Sequence, residues 1–215
     1  MAARAGSTRD GAGTHSRPPA RRCARVLAGL RHDLDFTGAV LAEADFRGAR
    51  FTGGDILFVK TLFAANGTDQ IIFDEADFAE GAFVYFRLAE FRSGNVRFNR
   101  ATFSGGWVTF DSARFTGAHV NFREASFAAG DIPFEGAEFS AGSIDFTGAT
   151  FTGSTVNFGE RHLPSIYRTA PPAHFSGGTV DFSQVGDFTR PPRFGLRALP
   201  PGLRLPSDTD ISDLP

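Results

Sequence analysis

Phe110 to Asn121 reads FDSARFTGAHVN, and Phe146 to Asn157 reads FTGATFTGSTVN. Both are one unit, Phe-x-x-Ala-x-Phe-(Thr/Ser)-Gly-(Gly/Ala/Ser)-x-(Val/Ile)-x. From Phe86 the phenylalanines fall at 86, 91, 98, 103, 110, 115, 122, 127, 134, 139, 146, 151 and 158, so the spacings alternate five and seven without an error. Ala-x-Phe and Val/Ile-x-Phe are i, i+2 pairs, and residues two apart share a face of an extended chain. Each pair therefore reads as a short strand with both side chains inward. Glycine and Ser/Thr follow Ala-x-Phe, where the chain must bend. No 3.6-residue period is present, which excludes helices here. Short strands, corners and strict length predict coils stacked in a parallel solenoid.

Composition agrees with a repeated mould. The 215 residues include 25 Phe and 25 Gly, against 2 Tyr and 1 Trp. The one cysteine, Cys23, excludes an internal disulfide framework and a cysteine-cluster metal site. No apolar run approaches the ~18–20 residues that span a membrane. The patch after Arg21 and Arg22 is too short for a secretory segment, and a cytoplasmic protein is expected. Charge is uneven. Residues 1–32 hold seven Arg and one acid, whereas residues 33–158 hold nine bases and seventeen acids. The basic stretch reads as a solubilising arm and does not favour direct nucleic-acid binding.

From Leu34 the chain divides into LDFTG, AVLAE, ADFRG and ARFTG, with Phe36, Leu41, Phe46 and Phe51 at the centres. This resembles the pentapeptide repeat family, whose unit is Ala-(Asp/Asn)-(Leu/Phe)-x-x. The resemblance extends over residues 34–188. It implies an all-β, right-handed parallel β-helix of square section. The twelve-residue units look like a variant with every second side lengthened. A twelve-residue coil is too small to enclose two Phe rings, so two units, about 24 residues, are expected per coil. Ten units run from Phe46 to Phe182. They predict about five coils and a rod about 25–30 Å long.

The domain plan follows. Residues 1–23 are a disordered basic arm, and residues 24–33, with Val26, Leu27, Leu30 and Leu34 on a helical face, form an N-terminal cap. Residues 34–188 are the solenoid. Residues 189–215 form a proline-rich C-terminal cap, in which Leu196, Leu199, Leu203 and Leu205 drape over the last coil. Its end, residues 207–215, is expected to be disordered.

The mould is broken in four places. Three residues are inserted near Ala65-Asn66-Gly67 and one near Gly81, and Pro133 occupies a strand position where it cannot donate. The largest break, Arg161 to Pro172, reads RHLPSIYRTAPP and adds twelve residues between Phe158 and Phe175. It is expected to be an inserted loop free of the repeat. Its Arg161, His162, Tyr167 and Arg168 are the candidate partner-binding residues, since Arg and Tyr are enriched at binding hot spots.

No catalytic constellation is legible. The histidines 15, 32, 119, 162 and 174 have no metal-ligand spacing. The Gly-Gly pairs recur with the repeat and are corners, not a dinucleotide fingerprint. No cofactor or metal is expected. A non-enzymatic scaffold or protein-interaction module is expected, with a protein partner and an oligomeric state that the sequence does not name. The resemblance implies an alternative, an acidic rod that mimics DNA and binds a type II topoisomerase. Arg87, Arg92, Arg97, Arg100, Arg114 and Arg123 interrupt the negative surface that such mimicry needs.

Overall fold

The computed structural model describes residues 33–163 and 168–215. The arm 1–23 and most of the predicted cap 24–33 lie outside the described residues. Among those described there is no α-helix. Apart from one hairpin, the strands pair in parallel, each with the strand one coil on.

The pairing decides the coil. Phe91 is in register with Phe115, and Phe103 with Phe127. Both steps span 24 residues, so each coil holds two units, as expected. The inward side chains form four columns. Phe36, Phe58, Phe86, Phe110, Phe134, Phe158 and Phe194 make the first, which has seven rungs. Leu41 begins the second, followed by Phe63, Phe91, Phe115, Phe139 and Phe175. The third runs Phe46, Phe73, Phe98, Phe122, Phe146 and Phe182. The fourth runs Phe51, Phe78, Phe103, Phe127 and Phe151. Rings within a column lie nearly parallel with centroids 4.3–5.1 Å apart. That is the rung spacing of a sheet, so one rotamer serves every coil. Offset stacking adds about 0.5–1.5 kcal/mol per pair beyond burial.

Small residues beside the columns let the coil close. Ala49, Ala76, Ala101, Ala125 and Ala149 are fully buried in one file. Thr61 occupies an alanine position and is tolerated because its hydroxyl donates to Phe36 O at 2.7 Å. Coil length varies where the sequence breaks. Phe36 to Phe58 is 22 residues, where two plain pentapeptides replace one longer unit. Phe58 to Phe86 is 28, because the insertions of three and of one fall in that coil.

Two details differ from the sequence expectation. First, the chain bends at Phe-x-x-Ala as well. The Ala39 amide donates to Phe36 O at 2.9 Å, and the same turn recurs at Phe46, Phe58, Phe73, Phe86, Phe98, Phe110, Phe122, Phe134 and Phe146. Its third residue is left-handed, whether glycine, as at Gly38, or not, as at Leu88 (φ 59°). Second, the bend after Ala-x-Phe does not end the strand in the central coils. Thr102–Thr109, Arg114–Asn121, Ser126–Pro133 and Glu138–Asp145 each run eight residues through it, with the register shifting at the bend.

At the far end Leu203–Arg204 pairs with Val180–Asp181. Leu196 and Leu205 pack against the core, but Leu199 is 50 % exposed and does not cover the last coil. The expected disorder of 207–215 is also corrected. Ile211–Asp213 forms a 3-10 turn whose first amides are capped by Asp210, and Leu214 rests partly buried on the core.

Candidate functional site

All phenylalanines but two stand in the columns. Phe188 closes the fourth column edge-on to Phe151, centroids 5.7 Å apart. Phe83 points outward and is 43 % exposed. The strand Ala82–Tyr85 alternates, with Ala82 and Val84 buried and Phe83 and Tyr85 on the outer face. One coil on, Trp107 lies directly beside Phe83 in register. Thus the aromatics that point away from the core among the described residues, Phe83, Tyr85 and Trp107, gather on one face of the rod.

That face has a defined order. Asp55 pairs in register with Phe83, Phe83 with Trp107, Trp107 with Asp131, and Asp131 with Thr155. An outward file therefore reads Asp, Phe, Trp, Asp, Thr at one residue per coil. Beside it the glycines of the bend, Gly81, Gly105, Gly106, Gly130 and Gly153, leave a groove of about 350 Å³. Glycine is required there by close approach. A Cβ on Gly130 would lie 2.3 Å from Gly106 O. A second groove of about 260 Å³ shares Asp131 and Thr155 and continues to Asn157, Glu160, Arg161 and Arg193.

The inserted segment borders this face. Arg161–Leu163 and Arg168–Ala170 form an antiparallel hairpin, so the expected loop has its own secondary structure. Its backbone is tied to the rod by the Gly136 amide, which donates to Pro171 O at 2.7 Å. Arg161 leans over the Trp107 ring, 5.2 Å from its centroid. It also reaches Glu135, Nη1 to Oε1 at 3.7 Å. His162 and Arg168 lie in the hairpin strands, opposite Thr169 and Leu163 respectively. Tyr167 lies outside the described residues. Of the residues expected from the sequence, Arg161 borders this face, and Phe83, Tyr85 and Trp107 were not singled out. The available signal was the phase of Phe83, five residues after Phe78 but three before Phe86.

Glu135 is the unusual ionisable group. Its side chain is buried, and it accepts from Asn157 Nδ2 at 2.7 Å. Burial, and then the Asp111 carboxylate beside it, push it up to about 7. Tyr85 is also raised, by burial and by the charge of Asp55.

Elsewhere on the rod arginines are interleaved with carboxylates. Arg50 pairs with Asp77, Arg114 with both Glu90 and Glu138, Arg123 with Asp145, and Arg204 with Asp181. Asp74 and Arg97 form a partly buried pair, and Arg100 meets Glu75 at 2.8 Å. His119 is exposed and bonded to Ser143 Oγ at 2.8 Å. Among the described residues no three His, Cys, Asp or Glu side chains converge as a metal site. None of their helices is long and apolar enough to cross a membrane.

Residues 32–59 match the family model described as pentapeptide repeats (8 copies). These residues carry the pentapeptide repeat. Among solved structures, the chain is similar to HetL, a pentapeptide repeat protein involved in heterocyst differentiation regulation from the cyanobacterium Nostoc sp. strain PCC 7120. Identity is 17 %, the match covers 89 % of this chain and 86 % of HetL, and the TM-score is 0.27. It is also similar to QnrB1, a plasmid-mediated fluoroquinolone resistance protein, at 15 % identity, with 86 % and 92 % of the two chains covered and a TM-score of 0.15. Both superpositions are loose, and the fold rests on the strand pairing above rather than on them. No curated protein matches the chain significantly.

Proposed function

We propose that this protein is a non-enzymatic scaffold whose partner docks on the outward aromatic face and the adjoining hairpin. The observation that carries the proposal is the departure of Phe83, Tyr85 and Trp107 from the rule that holds the other described aromatic rings in or against the core. Exposing a large ring forgoes about 1.5–3 kcal/mol of burial. Three aromatics on adjoining rungs, bordered by Arg161, make a patch of the residue types that dominate binding hot spots. The rigid rod holds that patch in shape before binding, which lowers the entropy lost on docking. The inserted segment 161–172, whose Arg161, His162, Tyr167 and Arg168 the sequence offers as partner-binding residues, is assigned to the same docking region through Arg161. A DNA-mimicking rod gains no support, because arginines are interleaved with the carboxylates on the other faces.

The test is capture by photo-crosslinking with a reactive residue in place of Phe83, set against one in place of Arg114 on another face. A partner should crosslink at Phe83 and not at Arg114, and replacing residues 161–172 by a short Gly-Ser linker should weaken it. Equal crosslinking at both positions, or full capture by the linker variant, counts against this docking site.

A further inference from the structure

The two carboxylates of the aromatic file differ from those that pair with arginine elsewhere on the rod. Asp77, Glu90, Glu138, Asp145 and Asp181 each have an arginine of the rod beside them. Asp55 and Asp131, which bracket Phe83 and Trp107, form no ion pair among the described residues. Asp55 is exposed, and Asp131 lines both grooves. Three rungs separate the two carboxylates, about 14 Å at sheet spacing. Between them lie two aromatic groups, whose electron-rich faces attract cations. One cation is already there. The Arg161 guanidinium sits 5.2 Å from the Trp107 centroid, which shows that the surface accommodates an arginine.

We infer that the aromatic face binds an extended basic segment of a partner protein, with arginine or lysine side chains on Phe83 and Trp107 and at Asp55 and Asp131. The inference rests on the docking site proposed above and names the chemistry of its occupant. Charge complementarity decides between occupants. An acidic peptide would set its charge against two unpaired carboxylates, and an apolar one would leave them without partners at the interface. An extended chain fits because the Asp–Phe–Trp–Asp file and its glycine groove run along the rod. About ten residues, extended at roughly 3.3 Å each, exceed the span between the carboxylates.

The test uses the full chain and three peptides of about ten residues, in which glycine alternates with arginine, glutamine or glutamate. Trp107 is the one tryptophan, so its emission reports on this face alone. The arginine peptide should perturb Trp107 and bind about tenfold more tightly than the glutamine peptide, with the advantage shrinking as salt rises. The Asp55→Asn/Asp131→Asn variant should erase that advantage, and Phe83→Ala should weaken every peptide that binds. If the glutamine or glutamate peptide binds as tightly as the arginine peptide, and Phe83→Ala removes that binding, the basic occupant is overturned while the docking site stands. Binding of the arginine peptide that ignores both variants, or no binding by any peptide, overturns the inference. The crosslinking at Phe83 judges the docking site separately.

Discussion

Leu88 carries a cost that glycine would not. It is exposed, and its φ of 59° lies in the left-handed region, at the turn position where other rungs have Gly38, Gly48, Gly136 or Gly148. A left-handed non-glycine residue costs about 1–2 kcal/mol, and the extra freedom of glycine in the unfolded chain returns about half of it. Leu88→Gly should therefore stabilise the protein by about 0.5–1 kcal/mol, read as a higher urea midpoint at unchanged slope. Glu135 carries a cost that depends on pH. Its folded pKa of about 7 lies above the usual carboxylate value, so the folded state holds the proton more tightly. Its contribution is fully present below about pH 4 and is lost as pH rises through 7. Glu135→Gln should flatten this part of the stability profile and raise the melting temperature above pH 7. A permanent amide donor would then sit beside Asp111, whose Oδ1 is buried without a partner. A variant that keeps the wild-type slope between pH 5 and 7 would point to another titrating group.

Among the elements, the two kinds of corner differ in what they ask of glycine. Gly142 (φ 79°) and Gly48 (φ 63°) are both left-handed, but a Cβ would lie 2.2 Å from Ala118 O at Gly142 and would meet nothing at Gly48. Gly48→Ala should cost about 1 kcal/mol from backbone conformation alone, and Gly142→Ala more, roughly 2–3 kcal/mol, since two backbones must also part. Equal losses would mean that the stacked bend is soft. The hairpin is a separable element, because the columns resume beyond it with Phe175 stacked on Phe139 at 4.9 Å. What was legible in the sequence divides along the same line. The inward positions demand one ring or one small residue and so print a period, from which the 24-residue coil follows. The left-handed turn position accepts Lys60, Glu75, Leu88 or Gly136 alike and prints nothing. Phe83 was overlooked for a different reason, since one more phenylalanine among 25 looks like core unless its phase against Phe86 is weighed. The twelve added residues announced the hairpin, but its contact with Trp107 joins positions 54 residues apart along the chain and exists only in the fold.

At the scale of the whole molecule each coil touches only the coils before and after it, so stability should be a sum of rung terms and neighbour terms. Position along the rod then matters as much as burial. Phe115 is stacked on both sides, 4.7 Å from Phe91 and 4.7 Å from Phe139. Phe194 ends its column and stacks only on Phe158, at 5.1 Å. Both rings are buried, at 2 % and 1 % exposure, so a burial argument alone predicts similar losses. The neighbour argument does not. Phe115→Ala opens a gap between two coils and weakens both interfaces, for about 3–5 kcal/mol. Phe194→Ala removes one stacking partner at the end of the rod, where the last coil can fray alone, and should cost less. The central lesion should also change the shape of unfolding. With the coupling across Phe115 weakened, the coils on either side can open separately, so the urea slope should fall. Native-state hydrogen exchange should lose protection outward from the Phe115 rung in both directions. The Phe194 variant should keep the wild-type slope and lose protection only beyond Phe182. Equal losses with unchanged slopes would show that the rod unfolds as one cooperative block and that coupling between coils outweighs any single rung.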